Sequence, residues 1–192
     1  MAIIVVGGSN RGVGKTALVC GLITALPEFA WTAVKITSHN HGVTQPLWEE
    51  TTPGQGTDTA RYLAAGAQRA FLATPALHDD SPVPDFPQLL AELWSKLGPG
   101  AHVLFESNRI AQSLKPDLCL LVHGGLAWHK ASFSIALPHG DAMVALSDAD
   151  GMIVGGEQSK PIFHLASLGR ISPQMQAWLR RGLGGHPEVQ NP

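Results

Sequence analysis

The sequence predicts an α/β fold: a doubly wound, mostly parallel sheet of about seven strands with helices on both faces. Three observations predict it. Short apolar runs bounded by Gly, Pro or polar residues recur with helix-like segments between them, the alternation expected of a parallel sheet wrapped by helices. Near the N-terminus a strand, a glycine-rich turn, Lys-Thr and a helix follow one another without a break. The 192 residues are 44% hydrophobic and only 15% charged, which suits a buried sheet and argues against a disordered chain.

In chain order, strands are expected at Ala2–Val6, Trp31–Thr37, Arg69–Thr74, Ala101–Phe105, Asp117–Val122, Ala142–Leu146 and Pro161–Leu165. Helices are expected at Lys15–Leu26, Thr57–Ala65, Pro87–Leu97 and Pro173–Leu183, with shorter helical turns after Glu106 and Leu126. Ser38–Gly56 and Pro75–Asp85 read as long loops, the second carrying three prolines and three acidic residues. The length fits a single domain, residues 1–183, with 184–192 as a C-terminal tail.

The formal net charge is −2, so no broad basic field draws the chain to nucleic acid or to an anionic membrane. Cys20 and Cys119 lie in apolar segments and are too sparse for a disulfide framework, which suits reduced, buried thiols. The start of the chain lacks a basic leader, and no apolar run approaches a bilayer span. A cytoplasmic location is therefore expected.

The chemistry concentrates in Gly7-Gly8-Ser9-Asn10-Arg11-Gly12-Val13-Gly14-Lys15-Thr16, which joins the first strand to the first helix. Glycines let successive backbone N–H groups wrap a phosphate chain, and the helix N-terminus adds partial positive charge. This is the pattern of a P-loop that binds a nucleoside triphosphate, with Gly12, Val13, Gly14, Lys15, Thr16 and Ala17 as the binding stretch. Lys15 is expected to reach the β- and γ-phosphates and act in catalysis, and the Thr16 hydroxyl to ligate Mg2+. One departure stands out: Ser9 occupies the place, five residues before Gly14, where such loops carry their first glycine. A dinucleotide fingerprint is disfavoured because no third glycine follows at the required offset.

A carboxylate to complete the metal site belongs at the end of a neighbouring parallel strand. Glu106, after Val103-Leu104-Phe105, fits as metal partner and catalytic group, with a capping or solvated carboxylate as the alternative. Lys35 sits inside an apolar strand, where an ammonium is costly unless it meets an anion or snorkels to water. His39 and His41 follow that strand and suit a polar substrate loop better than a zinc site, which would need further ligands. Asp58 and Arg61 lie three residues apart on one helical face, where they can pair or meet a ligand together; Thr57 or Asp58 is the helix cap. Asp150, in Ser147-Asp148-Ala149-Asp150, is placed either to accept the guanine N1–H and N2–H or to form a solvated turn.

Four of these features together resemble the molybdopterin-guanine dinucleotide biosynthesis protein B family of P-loop NTPases. They are Gly14-Lys15-Thr16, Val34-Lys35-Ile36 with His39 and His41, Thr57-Asp58-Thr59-Ala60-Arg61 running into Ala65-Gly66-Ala67, and Phe105-Glu106. They span roughly the first 110 residues; Ser107 stands where that family has glycine, and the chain beyond Lys115 matches only in general architecture. The resemblance implies GTP binding with Mg2+, weak hydrolysis, and an accessory role in molybdenum cofactor biosynthesis. Its implied partners are molybdopterin and a nucleotidyltransferase protein, with a homodimer left open. The residues alone also accommodate an ATP-dependent small-molecule kinase or ligase, or a non-catalytic interaction domain that binds nucleotide.

Overall fold

A computed structural model of the chain describes residues 1–37, 45–74, 85–124, 129–147 and 160–184, together with the backbone of 151–153. Among the described residues nine strands form one sheet: β1 (Ile3–Gly8), β2 (Thr32–Ile36), β3 (Leu47–Glu50), β4 (Arg69–Ala73), β5 (Val103–Glu106), β6 (Leu118–His123), β7 (Ala142–Leu146), β8 (Gly151–Ile153) and β9 (Ile162–Leu165). Their order is β3-β4-β2-β5-β1-β6-β7-β9-β8. The seven from β4 to β9 in that order pair in parallel. The outermost two pair antiparallel to their neighbours.

The helices are α1 (Lys15–Ala25), α2 (Asp58–Ala64), α3 (Phe86–Lys96), α4 (Ala131–Ala136) and α5 (Pro173–Leu183). Alternate strand residues face opposite sides, and two apolar layers result. Ile4, Val6, Ala33, Leu104 and Leu120 pack with Leu18 and Leu22 of α1, Tyr62 of α2 and Leu179 of α5. Val5, Val34, Phe71, Phe105 and Leu121 pack with Leu89 and Leu93 of α3 and Phe133 of α4. Helices thus cover both faces of a parallel centre, as the apolar strands require.

Side-chain caps set three helix starts. Thr57 accepts from the Ala60 N–H at 3.0 Å, Asp85 from Gln88 at 3.0 Å and Ser172 from Met175 at 3.3 Å. Thr57 is therefore the cap of α2, which leaves Asp58 available for other contacts.

The fold class is the expected one, with three corrections. The stretch 38–56 is not all loop, because Leu47-Trp48-Glu49-Glu50 forms edge strand β3. Two glutamates disguise it, since carboxylates are poor strand formers. Tertiary contacts compensate: Leu47 is buried, and Arg69 of β4 grips Glu49 through two N–H donors at 2.7 and 2.8 Å. The three-residue β8 was also unexpected, being too short to give a periodic signal. Finally, Glu106 is the last residue of β5 and not the first beyond it. The expected turn after Glu106 is a short 3-10 helix at Ile110–Gln112; helix α4 begins at Ala131, a few residues after the place expected. Among the described residues, no helix is long and apolar enough to cross a membrane.

Cys119 lies wholly buried on β6, and burial, assisted by the Asp141 carboxylate, pushes its thiol up to about 12. An alkylating reagent at pH 8 should leave Cys119 unmodified in the native protein and modify it in urea, read by peptide mass spectrometry; fast native labelling would contradict this packing. Phe105, fully buried between β5 and α3, should cost about 3–5 kcal/mol when replaced by Ala, read from urea unfolding.

Candidate functional site

The turn from β1 into α1 has the backbone the glycines predict. Gly12 and Gly14 have φ of +75° and +100°, in the left-handed region that favours glycine. At Gly14 a Cβ would also stand 2.3 Å from Cδ1 of Leu168, whose segment lies against the loop. No side chain caps the start of α1, so its first N–H groups remain directed at whatever the loop encloses. Ser9, the residue in the first-glycine place, does not have a positive φ. Its backbone N–H donates to Val122 at 2.9 Å and its hydroxyl accepts from the Gly124 N–H at 3.2 Å. A serine is accepted there because the conformation does not demand glycine, and its hydroxyl fastens the loop to the end of β6.

Asn108 holds the loop from the other side. Its Oδ1 accepts from the Gly8 N–H at 2.7 Å, and its Nδ2 donates to the Gly8 carbonyl at 3.0 Å and to Ser132 Oγ at 3.1 Å. This buried amide replaces the pairing that a continuing strand would have given Gly8.

Beside the loop, Glu106 is 2% exposed at the end of β5. Val6 lies opposite it on β1 and Lys35 opposite it on β2. Lys35 therefore points to the same face of the sheet as Glu106 and donates a hydrogen bond to its Oε1. Thr16 donates to Oε2 at 2.8 Å, and the buried Tyr62 hydroxyl donates to the same oxygen at 2.5 Å. Lys35 also pairs with Asp58 at 3.0 Å, and Asp58 with Arg61 at 3.8 Å. The carboxylate predicted for metal chemistry is thus held by α1, β2 and α2 together.

The charge states follow from these contacts. Burial alone would lower the Lys35 amine, but Glu106 and Asp58 outweigh it and hold the amine above its ordinary value. Burial would raise the Asp58 carboxyl, yet Lys35, Thr16 and Arg61 bring it below its ordinary value. The Lys15 amine is lowered, mainly by burial; its Nζ lies 3.5 Å from the Asn10 carbonyl. The Tyr62 hydroxyl is raised well above its ordinary value by burial and by Glu106, so it stays protonated and donates.

The structure thus brings together Gly12, Val13, Gly14, Lys15, Thr16, Ala17, Lys35, Asp58, Arg61 and Glu106 around one end of the sheet. His39, His41 and Asp150 lie outside the described residues. Tyr62, Asn108 and Lys130 were not singled out from the sequence. Tyr62 carried a signal: it is the only tyrosine of the chain and follows Asp58 by one helical turn. Asn108 and Lys130 carried none, since each meets the loop across a long separation in sequence. The broad concavity bounded by Gln112, Lys115, His139 and Asp141 opens at the other, amino-terminal end of the strands and holds no part of this cluster.

No protein-family model and no curated protein matches the sequence. Among solved structures, the chain is similar to LpxK from Aquifex aeolicus in a complex with ATP, at TM-score 0.59 and 16% identity, over 85% of this chain and 53% of that one. It is also similar to the signal recognition particle 54 kDa protein of Aeropyrum pernix K1 in a complex with GDP, at TM-score 0.48 and 18% identity, over 96% and 46%. The chain thus spans about half the length of these structures. With the strand order and the loop after β1, the first similarity defines the fold as that of a P-loop NTPase.

Gly14→Ala should abolish the loop's native form. The left-handed backbone alone costs a side-chain-bearing residue about 1–2 kcal/mol, and the close approach of Leu168 adds to it. A lowered midpoint of thermal unfolding is expected, while Gly12→Ala, where a Cβ would meet nothing within 4 Å, should be milder; equal effects would contradict the geometry.

Proposed function

We propose that this protein binds a nucleoside triphosphate with Mg2+ at the loop between β1 and α1 and hydrolyses it slowly. The observation that carries the reading is the convergence of Thr16 and Glu106 at 2.8 Å beside the uncapped start of α1. A hydroxyl and a carboxylate in contact form an oxygen donor set suited to a hard cation. Thr16 would hold the magnesium and Glu106 would orient its shell, and the ion would neutralise charge developing on the phosphate oxygens. Lys15 binds the β- and γ-phosphates. In hydrolysis, water oxygen bonds to the terminal phosphorus, the bond to the bridging oxygen breaks, that oxygen leaves with the nucleoside diphosphate, and the water's proton passes to the phosphate oxygens and on to solvent. Glu106 already accepts from Thr16, Tyr62 and Lys35, which suits it to positioning these groups more than to taking a proton itself.

GTP as the nucleotide, and an accessory role in molybdenum cofactor biosynthesis with molybdopterin and a nucleotidyltransferase as partners, rest on the resemblance carried by the first four motifs. A second reading, phosphoryl transfer from ATP to a small molecule, is favoured by Asp58. Its side chain is 37% exposed while fixed by Lys35, so it can meet an acceptor at the mouth of the site. LpxK was solved with ATP, which is compatible with this reading.

Calorimetric titration with non-hydrolysable GTP and ATP analogues, with and without magnesium, tests the proposal. Magnesium-dependent binding of either supports it, a preference for GTP favours the accessory role, and binding of neither would overturn it. Lys15→Ala should abolish measurable triphosphate binding, and Thr16→Ala should remove the magnesium dependence. Glu106→Gln should keep binding but slow release of inorganic phosphate by about 10–1000-fold; unchanged turnover would leave Glu106 a structural role only.

A further inference from the structure

Most of the charges so far placed at the loop are paired. Lys35 and Arg61 meet the carboxylates of Glu106 and Asp58, which leaves Lys15 as the cation of this group outside those pairs. A triphosphate carries more negative charge than Lys15 and one magnesium ion offset, and a further cation stands across the loop from β2. Lys130, the residue before α4, is half-buried, and its backbone N–H donates to the Ser9 carbonyl at 3.1 Å. In the first turn of α4, Ser132 meets Asn108, which clamps Gly8. Lys130 is thus anchored to the loop's first residues. That anchor sets Lys130 beside the loop that carries Lys15, half withdrawn from water and with no ion pair among the described residues. A partly desolvated ammonium in such a place is stabilised by an anion next to it. Burial and the repulsion of Lys35 both lower its amine, in accord with this placement.

We infer that Lys130 is a further phosphate-binding residue, engaging the terminal phosphoryl group of the nucleotide from the α4 side of the loop, opposite Lys35. The inference rests on the nucleotide reading above and adds to Lys15 a second cation on the phosphate that a diphosphate lacks. Lys130 leads into α4 and is not part of the loop between β1 and α1, so its contact to the terminal phosphate would tie the start of α4 to the nucleotide. Helix α4 packs through Phe133 and Ala136 onto the same apolar layer as Phe105 and Leu121.

The test compares binding of a non-hydrolysable triphosphate and of the diphosphate of the same base, by calorimetry, for the wild-type chain, Lys130→Met and Lys130→Arg. Lys130→Met should weaken the triphosphate about tenfold or more, the order of one charge-assisted hydrogen bond, leave the diphosphate unchanged, and be rescued by Lys130→Arg. Unchanged affinity for both nucleotides would overturn the inference while leaving the nucleotide site standing. Equal weakening of both would also overturn it, by showing that the Lys130 side chain acts on the loop or the inner phosphates and not on the terminal one. A wild-type chain that binds neither nucleotide would overturn the nucleotide reading and this inference with it. Urea unfolding of both variants checks that the fold is kept.

Discussion

An ionised carboxylate removed from water at the centre of a sheet is costly, several kcal/mol even after relaxation, unless hydrogen bonds replace its hydration. Glu106 is in that position. Its donors come from three separate elements: Thr16 from the first turn of α1, Lys35 from β2 and Tyr62 from α2. None of these elements could shift without stranding the charge. The helices on this face are thereby held to the carboxyl end of β5 by more than apolar packing, and the same constraint holds the Thr16 hydroxyl and the Lys35 ammonium in place before any ligand arrives. A site fixed in advance in this way has little reorganisation left to do on binding.

The topology makes the arrangement available. β1 lies between β5 and β6, so the turn leaving it is flanked by the ends of two other parallel strands. One end brings Glu106, followed closely by Asn108. The other brings Val122 and Gly124, which hold Ser9. The loop is therefore fixed at its entry by hydrogen bonds from both neighbours and at its exit by the close approach of Leu168 to Gly14. Ordinary loops of this length are mobile; this one has the backbone groups of Gly8 and Ser9 paired at its entry.

What could be read from the sequence was local. The turn from β1 into α1 was legible because strand, glycines, Lys-Thr and helix are contiguous, and Lys35 because an ammonium inside an apolar run demands a partner nearby. The position of Glu106 beside that turn followed from looking at the ends of neighbouring parallel strands, although the end of β5 was one residue off. Strand β3 was hidden since its stability comes from Arg69 on another strand and not from its own residues. Asn108 and Lys130 were hidden for a related reason. An asparagine in a turn and a lysine before a short helix are ordinary surface residues until the fold brings Gly8 and Ser9 beside them.

The electrostatics of the site then follow from where its charges originate. The carboxylates, Lys35 and Arg61 sit on the β2, β5 and α2 side and satisfy one another, so that side contributes fixed geometry more than attraction. The groups outside those pairs are the start of α1, Lys15, whose amine is lowered mainly by burial, and Lys130 beside Ser9; in the proposed reading these and the metal ion supply the attraction for a phosphate chain. This division has a physical advantage. A cluster that is neutral within itself can be buried at low cost and stay ordered in the absence of ligand, whereas the groups left partly in water can carry the uncompensated charge that a phosphate chain neutralises.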